Sequence, residues 1–181
     1  MKHALVVGGT GMLSEVCTWL VEQDYHVSVI GRNPEKMSHL VEKTDKDKIT
    51  PLLVDYKKID QLDILLKQTI SEKGPFTLVV AWVHTGGEQG LGRLIEIVAE
   101  TSGTWELNHV LGSRAKLAEV KSGLLIPRTC NYHQVQLGFK LEEDRGRWLK
   151  NHEISEGVME AIQYKAPTLL VGVLEPAKMR P

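Results

Sequence analysis

The residues at the start of the chain constrain its fold more than any others. A short apolar run, Ala4-Leu5-Val6-Val7, leads directly into the segment Gly8-Gly9-Thr10-Gly11-Met12-Leu13-Ser14. This order predicts a strand, a glycine-rich turn and the start of a helix. Glycine lets the backbone approach a pyrophosphate closely, and the free N–H groups of the following helix favour the phosphate charge. The pattern therefore predicts a dinucleotide-binding turn.

The residues that follow the turn supply the context that this interpretation needs. Met12, Val16, Leu20 and Val21 recur near the period of an α-helix, and a second apolar run covers residues 27–30. A strand, a glycine turn, a helix and a second strand make one βαβ unit of about thirty residues. The spacing Gly8-x-x-Gly11 alone would be weak, because glycine pairs also form ordinary tight turns.

The alternation continues to the end of the chain. It predicts helices at 35–43, 59–71, 90–100, 113–121 and 152–164, and strands at 49–54, 76–83, 105–111, 132–141 and 168–174. The strand at 76–83 is apolar nearly throughout, as expected for a central strand beside the first one. We therefore expect an α/β fold, with a doubly wound parallel sheet of about seven strands and helices on both faces. A single domain is expected to cover residues 1–181.

Composition excludes several classes of function. Twenty-two Lys and Arg residues balance twenty-three Asp and Glu residues, so no net field favours nucleic acid or a membrane surface. Two distant cysteines, Cys17 and Cys130, predict neither a disulfide framework nor a metal site. Strand sequence begins within three residues of Met1, which predicts no signal peptide, and no apolar stretch approaches the length of a membrane span. We expect a cytoplasmic protein whose partner is a small molecule, and a homo-oligomer is left open.

The motifs in this frame resemble the short-chain dehydrogenase/reductase superfamily, a Rossmann-fold group. Gly8, Gly11 and Ser14 are similar to its G-x-x-G-x-x-G/A fingerprint, with serine at the third small position. The resemblance implies that the turn binds the cofactor pyrophosphate, with Thr10, Met12 and Leu13 contributing in the same segment.

The residues after the second strand distinguish the two nicotinamide cofactors. An acidic residue there would accept hydrogen bonds from the ribose diol of NAD, whereas this chain has Gly31-Arg32-Asn33. A guanidinium matches a 2′-phosphate in charge and geometry. We therefore expect NADP (NADPH) as the cofactor, with Arg32 and Asn33 at its 2′-phosphate.

Two further strand ends are similar to cofactor-binding positions of the superfamily. Asp55 and Tyr56 follow the third strand, where the resemblance implies contact with the adenine amine. Ala81, Trp82 and Val83 replace the asparagine-containing segment after the fourth strand, so their backbone is expected to line the cofactor ribose.

The expected catalytic pair is missing. The superfamily uses a Tyr-x-x-x-Lys pair, and no tyrosine here has a lysine four residues later. Ser113 falls where the resemblance implies a substrate-orienting serine, and His84 ends the fourth strand, where ligands bind in such sheets. His84, Ser113 and Tyr132 are therefore the candidate catalytic residues.

Three interpretations remain. The first is an NADP-dependent oxidoreductase that acts on a small carbonyl or ene substrate. The second is a non-catalytic NADP-binding protein that senses redox state or regulates a partner, which the missing pair favours. The third, a flavodoxin-like binder of flavin mononucleotide, is weakened by the early glycine turn and by Arg32.

Overall fold

The computed structural model describes residues 1–181, and its centre is a seven-stranded parallel sheet. The strands lie in the order β3-β2-β1-β4-β5-β6-β9. Their bounds are β1 Lys2–Val7, β2 Tyr25–Gly31, β3 Ile49–Leu53, β4 Leu78–Trp82, β5 Trp105–Leu111, β6 Cys130–Leu137 and β9 Thr168–Val171. The predicted α/β fold with a doubly wound parallel sheet of about seven strands is confirmed.

Six helices accompany the sheet. They are α1 Ser14–Glu22, α2 Pro34–Glu42, α3 Ile59–Lys73, α4 Glu88–Thr101, α5 Leu117–Ser122 and α6 Asn151–Tyr164. No helix is both long enough and apolar enough to cross a membrane.

The strand order creates one crevice at the carboxyl edge of the sheet. From β1 the chain proceeds outward through β2 and β3 on one side, and from β4 through β5 and β6 on the other. β4 pairs in parallel with β1, from Ala4 opposite Leu78 to Val7 opposite Ala81, as the apolar pattern predicts. Ligands of doubly wound sheets bind where the order reverses in this way.

Two apolar layers hold the sheet between its helices. On one face, α1, α2 and α6 pack through residues such as Leu20, Leu40 and Val158. On the other face, α3 and α4 pack through residues such as Leu66 and Ile95. Parallel strands covered on both sides require this nearly continuous apolar sequence, which explains why β1 and β4 contain few polar residues.

The carboxyl-terminal part differs from the sequence prediction. The single strand expected over 132–141 is wrong: β6 ends at Leu137, and residues 139–142 form β7 of a separate antiparallel hairpin with β8, Arg145–Trp148. A Cβ at Gly138 would lie 2.2 Å from the Val173 carbonyl oxygen, so the chain passes Val173 too closely for a side chain. The break follows from this contact with a distant segment.

The hairpin is attached to α6 by charge. Arg147 Nη1 lies 2.8 Å from Glu153 Oε2, and Lys140 Nζ lies 3.0 Å from Glu153 Oε1. Glu153 also accepts the Lys150 backbone N–H in the first turn of α6. These donors lower the pKa of Glu153, with Arg147 the largest cause. The attachment fixes Trp148, at the end of β8, beside the carboxyl edge of the sheet.

Candidate active site

The glycine turn lies between β1 and α1. Gly8 has a φ of +78°, a conformation that side-chain-bearing residues rarely adopt, and its N–H donates to the Ile30 carbonyl at 3.0 Å. A Cβ at Gly11 would have no atom within 4 Å. The turn is therefore fixed at Gly8 and open to incoming groups at Gly11.

Gly9 is a residue that the sequence spacing did not single out. A Cβ there would lie 2.7 Å from Val29 Cγ1 and 2.8 Å from Cys17 Sγ. Gly9 therefore allows α1 to pack closely on β1 and β2. The pair Gly8-Gly9 was the available signal in the sequence. The packing role of Gly9 could not be predicted from it, because the side chains that a Cβ would meet come from β1, β2 and α1.

The start of α1 has no side-chain cap. Leu13 occupies the cap position and makes no side-chain capping bond, and its own side chain is fully buried. The Met12 carbonyl accepts a hydrogen bond from Ser155 Oγ of α6 at 2.7 Å. Thr10 lies against the end of β2, where a Cβ on Gly31 would approach its side chain to 2.8 Å. The turn is thus held from two sides, while the helix N-terminus is not satisfied by a side chain.

Arg32, Asn33 and Asp55 lie together at the ends of β2 and β3. Arg32 Nη1 lies 3.8 Å from Asp55 Oδ2, and the Arg32 side chain is 67% exposed. Asp55 also accepts the Lys57 N–H at 3.0 Å. Asn33 Oδ1 accepts the Lys36 N–H at 2.9 Å and caps α2. The oxygen of Asn33 is therefore engaged in the helix, while the exposed side chain of Arg32 has only one distant partner, and such an ion pair contributes little.

Tyr56 supports the loop that follows β4. Its hydroxyl accepts the His84 backbone N–H at 3.1 Å. A Cβ at Gly90 would lie 2.2 Å from the Tyr56 carbonyl oxygen, so glycine lets the first turns of α4 pass over this residue. Tyr56 joins the end of β3 to the loop that carries His84.

A cavity of about 950 Å³ opens at the carboxyl ends of β4 and β5, between α4 and α5. Its apolar lining includes Trp82, Val83, Leu111, Leu124 and Trp148. Ala81, in β4, does not line it and is fully buried in the sheet. The lining is largely apolar with a few polar groups, as in small-molecule sites.

His84 and Ser113 both line this cavity, as their strand-end positions predict. The His84 ring lies edge-on to Trp82 with centroids 5.5 Å apart, and it makes no side-chain hydrogen bond within the protein. Ser113 does not cap α5, whose cap position is Lys116. Both side chains therefore keep their hydrogen-bonding capacity for a ligand.

Tyr132 does not line the cavity. It lies on β6 opposite Leu107, and its hydroxyl is 2.9 Å from His109 Nδ1. Burial raises the pKa of Tyr132 to about 12. His109, on β5, lines the cavity itself, and burial lowers its pKa to about 4. His109 is not among the site residues that the sequence predicts, although its position near the carboxyl end of a central strand was the available signal.

Comparison with known protein families gives a match in the first part of the chain only. Residues 2–83, which run from β1 to just past β4, match the family model of the short chain dehydrogenases. This stretch, just under half of the chain, is similar to that family. The match ends one residue before His84. A search of curated proteins by sequence finds no match.

Solved structures share the fold of this chain over nearly its whole length. A glucose/ribitol dehydrogenase of the superfamily from Brucella melitensis aligns with a TM-score of 0.73 at 11% identity, over 94% of each chain. Glucose dehydrogenase of Caenorhabditis elegans aligns with a TM-score of 0.70 at 12% identity, over 94% of this chain and 95% of that chain. YwfH, an NADPH dependent reductase involved in bacilysin biosynthesis, aligns with a TM-score of 0.70 at 11% identity, over 94% of this chain and 98% of that one.

Proposed function

We propose that the protein binds NADPH across the carboxyl edge of its sheet and acts as an oxidoreductase on a small carbonyl or ene substrate. The observation that carries this proposal is the combination of an open Gly11, an uncapped α1 and a cavity at the same edge. When bound, the cofactor supplies the hydride. The remaining chemistry falls to the residues of the chain.

The glycine turn fits a pyrophosphate. The free N–H groups at the start of α1 and the helix dipole both favour an anion, and Gly11 leaves room for one to approach. Arg32 is the residue that would hold the 2′-phosphate, because its exposed guanidinium is held only by a 3.8 Å contact with Asp55. At the other end, backbone of residues 81–83 would border the cofactor ribose. A member of the same fold, YwfH, is described as NADPH dependent.

His84 and Ser113 are the residues that would act on the substrate. The Ser113 hydroxyl would orient a substrate oxygen in the cavity, and the His84 imidazole would exchange a proton with it, because an imidazole can both donate and accept a proton. Tyr132 would contribute through His109, since it does not border the cavity itself.

The experiment that tests the cofactor assignment is calorimetric titration of the protein with NADPH and with NADH. We expect tighter binding of NADPH than of NADH. The residue that directly follows β2 is Arg32, which can pair with a 2′-phosphate, and no acidic residue stands there to bind the ribose diol of NADH. Equal affinities for the two cofactors would contradict the assignment.

A non-catalytic NADP-binding role, as a redox sensor or regulator, is the second candidate. The observation that favours it is the missing Tyr-x-x-x-Lys pair. Assays of NADPH oxidation against quinones, aldehydes and ketones separate the two. A protein that binds NADPH but oxidises it with none of these compounds would support the sensor.

A further inference from the structure

The cavity at the carboxyl ends of β4 and β5 contains one buried polar side chain whose second nitrogen has no partner in the protein. His109 is 4% exposed and lines the cavity. Its Nδ1 is bonded to the Tyr132 hydroxyl at 2.9 Å, and no protein group bonds to its Nε2. The Nε2 atom itself is not fully buried, so it is open to the cavity and can bond to a ligand there.

The surroundings of His109 keep it neutral. Burial is the cause of its low pKa, and no carboxylate contacts the ring to favour the charged form. The acidic residues of the cavity, Glu88, Glu96 and Glu119, belong to the helices rather than to the strand. Glu88 and Glu119 bond to other groups, the Gly86 N–H and Lys116 Nζ respectively. At neutral pH the ring therefore carries one proton, on one of its two nitrogens.

Tyr132 decides which nitrogen carries that proton. A phenol O–H is a better donor than acceptor, and the unprotonated nitrogen of an imidazole is a good acceptor. With Tyr132 donating to Nδ1, the proton of the ring lies on Nε2, which becomes a fixed N–H donor in the cavity. Because the Tyr132 phenol is half-buried and its pKa is raised to about 12, it remains a donor across the neutral range.

We propose that His109, oriented by Tyr132, donates its Nε2–H to the oxygen of an apolar ketone or aldehyde bound in this cavity. The proposal rests on the proposed function and names its substrate class and a residue that touches the substrate. The apolar side chains Leu111, Leu124, Leu125 and Trp148 would contact the hydrocarbon part. Leu125 and Trp148 are large apolar residues that are exposed in the structure, at 90% and 49%, and a hydrocarbon would cover them.

The test uses a matched pair of ligands and needs no cofactor. 2-Acetonaphthone carries a carbonyl where 2-isopropenylnaphthalene carries a methylene group, so the two differ mainly in a hydrogen-bond acceptor. Binding is followed by quenching of tryptophan fluorescence, because Trp82 and Trp148 line the cavity. His109→Phe keeps a ring of similar size and removes the donor. His133→Gln is the control, because His133 is a buried histidine of the neighbouring strand that does not line this cavity.

We expect His109→Phe to weaken binding of the ketone about tenfold and to leave binding of the hydrocarbon within about twofold, since one hydrogen bond is lost. His133→Gln should change neither. If His109→Phe affects both ligands alike or neither of them, or if the parent does not bind the ketone at millimolar concentration, the proposal is wrong. NADPH binding is measured separately, so failure of the cofactor assignment is distinguished from failure of this one.

The role of Tyr132 has its own readout. In the parent protein labelled with ¹⁵N-histidine, NMR should show His109 protonated on Nε2, and the Nε2 resonance should shift when 2-acetonaphthone is added. Tyr132→Phe should leave a mixture of tautomers and weaken ketone binding severalfold. A parent His109 protonated on Nδ1 would overturn the assigned donor.

Discussion

Residues 2–83 and residues 84–181 build the same layered sheet, but the candidate site of the first region is easier to recognise from the sequence than that of the second. The first region matches a family model, and the turn that we propose binds the cofactor is encoded in one continuous segment with Gly8, Gly9 and Gly11. In the second region, His84, His109 and Ser113 reach one cavity from separate positions in the chain. A phosphate site made of backbone needs particular glycines in a row, whereas a substrate site made of side chains does not.

The largest effect should come from closing the turn of the first region. Gly11→Val places a branched side chain in the space at the start of α1, which is open for 4 Å. We expect NADPH affinity to fall at least about a hundredfold, because two or more charge-assisted hydrogen bonds are lost. Calorimetry measures the loss, and circular dichroism should show an unchanged fold.

Gly103→Val is the matched control for this substitution. A Cβ at Gly103 also has open space, and this residue lies between α4 and β5, away from the turn. If Gly11→Val binds NADPH as the parent does, the turn has only a structural role. The first region would then lack the cofactor site that distinguishes it from the second.

In the second region, the next effect concerns turnover. His84→Ala and Ser113→Ala should each reduce the rate of NADPH oxidation about a hundredfold with the best compound of a panel of quinones, aldehydes and ketones. NADPH affinity should hardly change, because both side chains line the cavity rather than the glycine turn. Ser122→Ala, at an exposed serine of α5, is the control. Rates equal to the parent in both variants would remove these residues from the site.

Each region also contains a buried histidine whose pKa is lowered to about 4, which makes acid stability a further comparison. His3 Nδ1–H donates to the Gly74 carbonyl, and its pKa is lowered to about 4 by burial, with His26 and Lys73 contributing. Burial also lowers the pKa of His109 to about 4. Since the unfolded chain takes up a proton near pH 6.5, the folded state loses free energy as the pH falls from about 6.5 to about 4.

We expect each of these histidines to cost about 2 kcal/mol of unfolding free energy between pH 7 and pH 5. Urea denaturation at the two pH values measures this cost, and His3→Gln and His109→Gln should each show a smaller loss than the parent. The same loss in parent and variants would show that the acid sensitivity arises elsewhere in the chain.

The smallest effect should come from Arg32→Ala at the end of β2. We expect NADPH affinity to fall about tenfold, because one charge-assisted contact is lost, while NADH affinity stays unchanged. Lys43→Ala removes a positive charge at the other end of α2 and should change neither. An equal loss for both cofactors would place Arg32 away from the 2′-phosphate.

The fold was predictable because its signals are local and repeated. β5 has the bounds that its apolar run predicts, Trp105–Leu111, and α6 begins one residue before the predicted start. The hairpin of β7 and β8 was not predictable in the same way, because the break at Gly138 depends on the carbonyl of Val173. Alternation of apolar residues continues across that break and so resembles one strand.

The sequence by itself determined the α/β layers, the strand–turn–helix order and the resemblance to short-chain dehydrogenases/reductases, since periodicity and glycine position express backbone requirements directly. Tertiary structure alone decided that Gly9 is the packing glycine, that Asn33 caps α2, and that Tyr132 reaches the cavity only through His109. These facts depend on distances between atoms far apart in the chain, and such distances exist only after the strands have paired and the helices have packed.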